Sequence, residues 1–158
     1  MKKLIGLTIN KKLITDKTSR KHWCGDFRCS DNQLTSLEGA PASVSGDFIC
    51  RYNKLTSLEG APSSVGGDFW CFDNKLTSLS GIHKILKQIK CTFWVDDNPL
   101  KSNVIGLLLV KGCREVIMDN IQVQDIMNKH LQSPFGNLRV LECQSEMLEA
   151  ELGDWAKL

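Results

Sequence analysis

GDFWCFDNKLTSL, residues 67–79, decides how the rest of the chain is read. A half-buried strand alternates apolar and polar side chains, yet Phe69, Trp70, Cys71 and Phe72 run on with no polar break. The stretch has near-copies on both sides. GDFRCSDNQLTSLEGAPASV (25–44) and GDFICRYNKLTSLEGAPSSV (46–65) precede it at intervals of 21 residues, and CTFWVDDNPL (91–100) follows after 24. The additional residues of the last interval fall in SGIHKILKQIK (80–90), where a more helical connection replaces the short Ala-Pro linker. A degenerate first rung is read in residues 4–14; its register stays open, because Leu13 and the Leu7/Ile9 pair fit frames one residue apart.

A fixed period of this length is the signature of a solenoid, in which each unit buries its apolar face against its neighbours. The repeat reads F-x-C-x-x-N-x-L-x-x-L. It predicts one internal column of Phe27, Phe48, Phe69 and Phe93, and a second of Cys29, Cys50, Cys71 and Val95. Leu34, Leu55, Leu76 and Leu100 form a third column, and Leu37, Leu58 and Leu79 support the far side. Asn32, Asn53, Asn74 and Asn98 fall where each strand turns, and a buried amide there can bond adjacent backbone groups. Gly39, Gly60 and Gly81, with Pro41 and Pro62, suit a tight return with little room for a helix.

This pattern resembles the leucine-rich repeat, whose units each comprise a short strand, an Asn turn and a return path. The expected fold is an α/β-type leucine-rich-repeat solenoid of short parallel strands with a helical C-terminal cap. Three segments are expected: a capping rung and basic segment over 1–24, the repeats over 25–100, and a helical cap subdomain over 101–158. Trp23 aligns with Val44 and Val65 and is the expected first cover of the open end. Within 101–158, SNVIGLLLVKG reads as a short helix with Ser102 or Asn103 as N-cap and Gly112 as stop. REVIMDN reads as a strand or extended link. IQVQDIMNKHL and NLRVLECQSEMLEAEL have helical spacing, with Leu138, Leu141, Leu148 and Leu152 on one face, and Ser133-Pro134-Phe135-Gly136 marks the break between them.

If Phe69 and Cys71 point inward, Asp68, Trp70 and Phe72 point out. Three outward columns follow: Asp26, Asp47, Asp68 and Thr92; Arg28, Ile49, Trp70 and Trp94; Ser30, Arg51, Phe72 and Asp96. The core columns hardly change between rungs, whereas the second and third outward columns change completely. Adjacent rungs lie about 4.8 Å apart, so Ile49, Trp70 and Trp94 predict an apolar ridge flanked by Phe72, with Arg28, Arg51, Asp68 and Asp96 at its rim. Aromatic residues ringed by charges are the composition of a protein-binding hot spot. Coverage of this face by the C-terminal subdomain or by a second copy is the competing expectation.

Composition excludes little by itself: 158 residues, 42% apolar, 24% charged and a net charge of +2 describe an ordinary globular chain. The charge is unevenly placed. Residues 1–24 carry seven Lys or Arg against one Asp, while residues 25–81 carry four basic and seven acidic residues. MKKLIGLTI is too short and interrupted for a signal peptide, no segment approaches a membrane span, and seven cysteines suit free thiols in a reducing, cytoplasmic setting.

No enzymatic motif stands out, and neither a cofactor nor a metal is expected. Three stacked cysteines alternating with aromatics, without a C-x-x-C or H-x-x-x-H pair, read as core rather than ligands. The Asp26, Asp47, Asp68 row reads as backbone satisfaction or solvation, and His22, His83 and His130 as surface or boundary residues. KKLITDKTSRKHWC (11–24) is basic enough for nucleic acid, but the acidic repeat surface beside it opposes a broad phosphate-binding face.

The LEGAP linkers, GDFxC rungs, DNPLKSNVIGLLLVKG exit and LECQSEMLEAELGDWAKL end resemble, over nearly the whole chain, a family of small leucine-rich-repeat proteins encoded by large tailed bacteriophages and related bacterial elements. That resemblance implies an intracellular accessory protein acting on a host factor as an inhibitor or redirector. The expected function is a non-catalytic protein-interaction module binding on a concave β-face. The alternatives are a nucleic-acid-binding accessory factor using the basic N-terminal segment, or an enzyme with a His- or Cys-containing pocket at the junction of repeats and cap.

Overall fold

The Gly-Asp-Phe step dictates how one turn of chain rests on the next. A computed structural model describes residues 22–134 and 136–158, together with the backbone of two short strands, β1 (Thr8–Ile9) and β2 (Lys12–Leu13). Asp26 Oδ1 accepts from Asp47 N–H at 3.0 Å, Asp47 Oδ1 from Asp68 N–H at 2.9 Å, and Asp68 Oδ1 from Thr92 N–H at 2.9 Å. A Cβ on Gly46 or Gly67 would occupy the place of the preceding turn's carboxylate oxygen, so the residue before the second and third aspartates has to be glycine. The aspartate row is therefore a backbone-satisfying ladder.

The first three turns contribute two short strands each, and the later turns one. On one side, β4 (Phe27–Arg28), β6 (Phe48–Ile49), β8 (Phe69–Trp70), β9 (Thr92–Trp94) and β10 (Glu115–Ile117) form a five-stranded parallel sheet. Its register aligns Phe27, Phe48, Phe69, Phe93 and Val116. On the other side, β3 (His22–Trp23), β5 (Ser43–Val44) and β7 (Ser64–Val65) form a second parallel sheet, extended by single bridges through Gln88 and Lys111. The Ala-Pro return read from sequence thus holds a strand of its own, with Trp23, Val44 and Val65 buried in register. The chain is a parallel β-solenoid of about five turns with C-terminal helices.

The core is the set of expected columns. Phe27, Phe48, Phe69 and Phe93 are fully buried, with successive ring centroids 5.6, 5.0 and 5.1 Å apart. Each such side chain contributes about 1.5–3 kcal/mol by burial. Trp23 closes the described end of the stack edge-on to Phe27 at 4.9 Å and donates its indole N–H to Asp26 O. Cys29, Cys50 and Cys71 have no exposed surface, and burial pushes each thiol well above its ordinary pKa. Asn53 shows what the turn amide does. Its Oδ1 accepts from Asn32 and Leu34 N–H, and its Nδ2 donates to Cys29, Cys50 and Arg51 C=O, tying its own turn to the one before. Asn74 and Asn98 make the same three donations, with Oδ1 accepting from Leu55 and Leu76 N–H respectively.

Four expectations need correction. Within the span read as a degenerate first rung, β1 and β2 pair antiparallel, which a solenoid rung does not do. The repeats also continue past Leu100: β10 pairs in register with β9, with Val116 in the phenylalanine column and Met118 buried two residues on. Leu100 itself is only partly buried, because the fifth turn is cut short. Asn120 arrives one residue before the expected turn position and caps a helix instead, accepting Val123 N–H at 3.0 Å.

The segment read as a helix from Ser102 or Asn103 forms a 3-10 turn, Ile105–Leu109, with Val104 at its start and no side-chain cap; Asn103 adopts φ 64°. With four of its five residues buried, it serves as the return path of the fourth turn, beside α1 (Ile82–Ile85) in the return of the third. Finally, α2 (Ile121–Leu131) and α3 (Asn137–Glu149) form as expected, but α3 buries Arg139, Val140, Cys143 and Met147. Leu138, Leu141 and Leu148 face outward at 61–68% exposure, with Leu152 partly buried beyond the helix. Arg139 occupies the inner face because its guanidinium donates to Leu108, Leu131 and Ser133 C=O, groups that the ends of neighbouring elements leave open.

Candidate functional site

Alternation along β4, β6, β8, β9 and β10 turns the residue after each buried column member away from the core. The register places Arg28, Ile49, Trp70, Trp94 and Ile117 in one line across the sheet. Trp70 and Trp94 lie 5.7 Å apart between ring centroids, and Phe72 lies 6.3 Å from Trp70. Tyr52 meets Phe72 edge-on at 5.4 Å. Arg51 sits over this group, with its guanidinium carbon 5.3 Å from the Tyr52 ring, 5.6 Å from Trp70 and 5.3 Å from Phe72, within cation–π range of all three. Ile49 is only 3% exposed beneath these neighbours, so it supports the ridge rather than presenting itself.

The polar atoms of the ridge are unusual. Trp70 Nε1, Trp94 Nε1, Arg51 Nε and Asp96 Oδ1 are buried and have no hydrogen-bond partner among the described residues. Buried polar atoms are nearly always paired, and four orphans on one face concentrate an unmet demand for three acceptors and one donor. Asp96 is held above its usual carboxylate range, first by desolvation and then by the neighbouring charges of Asp97 and Asp119.

The remaining rim residues divide. Arg28 is exposed and bonds Asp26 at 2.8 Å, an ion pair at the first turn. Asp68 is engaged in the backbone ladder through Oδ1. Asp119 continues the outward column past Asp96, and its Oδ1 accepts Asp97 N–H at 3.1 Å. Tyr52, Ile117 and Asp119 were missed in sequence. Ile117 and Asp119 required knowing that the sheet gains a fifth strand. Tyr52 carried a signal: Asp31, Tyr52, Asp73 and Asp97 all hold φ between 51° and 58°. Asp adopts that left-handed region more readily than a bulky aromatic, so the one tyrosine among three aspartates stands out.

The helices pack mainly away from Trp70 and Trp94, with α2 meeting the sheet at β10. The principal packing partners of α2 are β10, α3 and the 3-10 turn, and those of α3 are α2 and the 3-10 turn, not β8 or β9. A cleft of about 320 Å³ opens at the last turn, lined by Asn98, Leu100, Met118, Asp119, Asn120 and Trp155, with no His or Cys in its wall. His130 is buried and lies 2.8 Å from Glu146, whereas His22 is exposed and His83 half-buried. The basic tract 11–24 lies outside the described side chains except for His22, Trp23 and Cys24. No helix among the described residues is long and apolar enough to cross a membrane. Comparison of the chain with protein-family profiles, characterised proteins and solved structures returns no match.

Proposed function

We propose that this protein is a non-catalytic interaction module of leucine-rich-repeat type, binding a partner protein on the outward face of the five-stranded sheet. The observation that carries the reading is the contrast between turns. Phe, Cys, Asn and Leu repeat at core positions, whereas the outward line reads Arg28, Ile49, Trp70, Trp94, Ile117 and groups its aromatics with four orphaned polar atoms. Large aromatics beside Arg are the residues that dominate interface energetics, and a preformed sheet orders little on binding, which lowers the entropic cost. The mechanism would be occlusion: the partner's loop or strand lies along the ridge and is unavailable elsewhere. The resemblance to bacteriophage-encoded repeat proteins extends the proposal to an accessory role on a host factor.

Trp70→Ala with Trp94→Ala tests it. Each aromatic at an interface centre commonly contributes at least about 2 kcal/mol, so the double variant should lose a partner identified with the wild-type protein while melting within about 3 °C of it. Retention of that partner by a folded double variant would refute the assignment.

A further inference from the structure

Resting on that binding role, we infer that the ridge receives an extended segment of a partner protein whose lysine or arginine side chain seats at the Asp96–Asp119 end. Counted across the five strands, the outward positions, with Asp119 two residues past Ile117, hold six carboxylates (Asp26, Asp47, Asp68, Asp96, Glu115 and Asp119) against two arginines. Arg28 is spent on Asp26 and Arg51 lies over aromatic rings. The face is therefore polarised, with both cations toward the first turns and Asp96, Asp97 and Asp119 together at the last. Phosphate-rich partners are repelled there, and a cation is drawn in.

The aromatic track and the acidic end specify the rest. The partly exposed rings of Trp70, Phe72 and Trp94 give an extended segment an apolar surface to lie on. The partly exposed Asp96 carboxylate, beside exposed Asp97 and Asp119, draws an ammonium or guanidinium. Trp94, two residues before Asp96 at the end of β9, offers a ring face for the same cation. Beyond Asp96, Asp119 also lines the cleft whose Leu100, Met118 and Trp155 walls suit the aliphatic stem of a long basic side chain. Desolvation and like charges disfavour ionised Asp96 in the free protein, and the attraction of an arriving cation offsets them.

The test is selection of a displayed library of random twelve-residue peptides against the purified full chain, followed by titration of the enriched peptides. The expected result is enrichment of peptides with an excess of Lys and Arg over the starting library. Their binding should be abolished by Trp70→Ala/Trp94→Ala and weakened about tenfold by Asp96→Asn/Asp119→Asn, with the loss growing less at high salt. Enriched peptides lacking that excess, yet lost in the double tryptophan variant, overturn the cationic assignment and leave the binding role standing. Self-association abolished by the tryptophan substitutions reassigns the face to a second copy and overturns it. Failure to enrich, or binding indifferent to Trp70 and Trp94, overturns both readings.

Discussion

At the scale of single residues, the repeated asparagine is the side chain on which stacking most depends. Asn53 makes five hydrogen bonds spanning two turns, whereas the described bonds of Asn32's side chain are two, from Nδ2 to Cys29 and Ser30 C=O within its own turn. Truncation leaves buried backbone groups without partners, which costs more than the bonds themselves contribute. Asn53→Ala is expected to lower stability by at least about 3 kcal/mol and Asn32→Ala by about 1 kcal/mol, differences readable in urea unfolding. Asp96 behaves oppositely. A carboxyl whose folded pKa is raised favours the fold while protonated, and that contribution is lost as pH rises through the raised value. Asp96→Asn should therefore raise the melting temperature at neutral pH. The gain should vanish below the ordinary carboxylate range, where wild type is also neutral; a variant no more stable at pH 7 would show that Asp96 is not penalised.

At the scale of elements, the open edge of β10 is closed by a helix acting as a surrogate strand. Gln124 Oε1 accepts Met118 N–H at 2.9 Å, Asn128 accepts Val116 N–H and donates to Val116 C=O at 2.7 and 3.0 Å, and Gln132 donates to Arg114 C=O at 3.0 Å. Amides four apart on a helix rise about 6 Å, close to the roughly 6.6 Å between alternate residues of a strand, so three amides match three ladder positions. Exposed edges recruit further strands, and α2 meets that hazard with side chains. Asn128→Leu should cost about 2–3 kcal/mol by orphaning both Val116 groups and should promote association detectable by light scattering. A monomeric variant of unchanged stability would dismiss the surrogate-strand role. The glutamine and asparagine spacing was visible in sequence, yet its meaning was not, because the strand it serves lay in a link of ambiguous structure.

At the scale of the molecule, each turn contacts only its neighbours, so the two ends set whether the array survives. Removing residues 119–158 would strip α2 and α3 from β10 and uncover Val116, Met118 and the apolar 3-10 turn. The truncated chain should lose its single cooperative transition and aggregate; a soluble fragment with a sharp melt would show that the solenoid is self-sufficient without its helices.

Period and chemistry by themselves determined the solenoid, its phenylalanine and cysteine columns, the leucine column through Leu76 and the outward line from Arg28 to Trp94, because a repeated position meets the same environment in every turn and so reports it several times over. Tertiary structure alone decided where the array ends, which face of α3 is buried, and that the second sheet exists. Those outcomes rest on single, unrepeated solutions: Asn120 arriving one residue early, Arg139 drawn inward by open carbonyls, and paired Ser-Val steps too short to display a strand pattern. The ridge belongs to both. Its residue types were legible in the alternation of GDFWCF, but its orphaned indoles and its acidic end emerge only when five turns are brought into register.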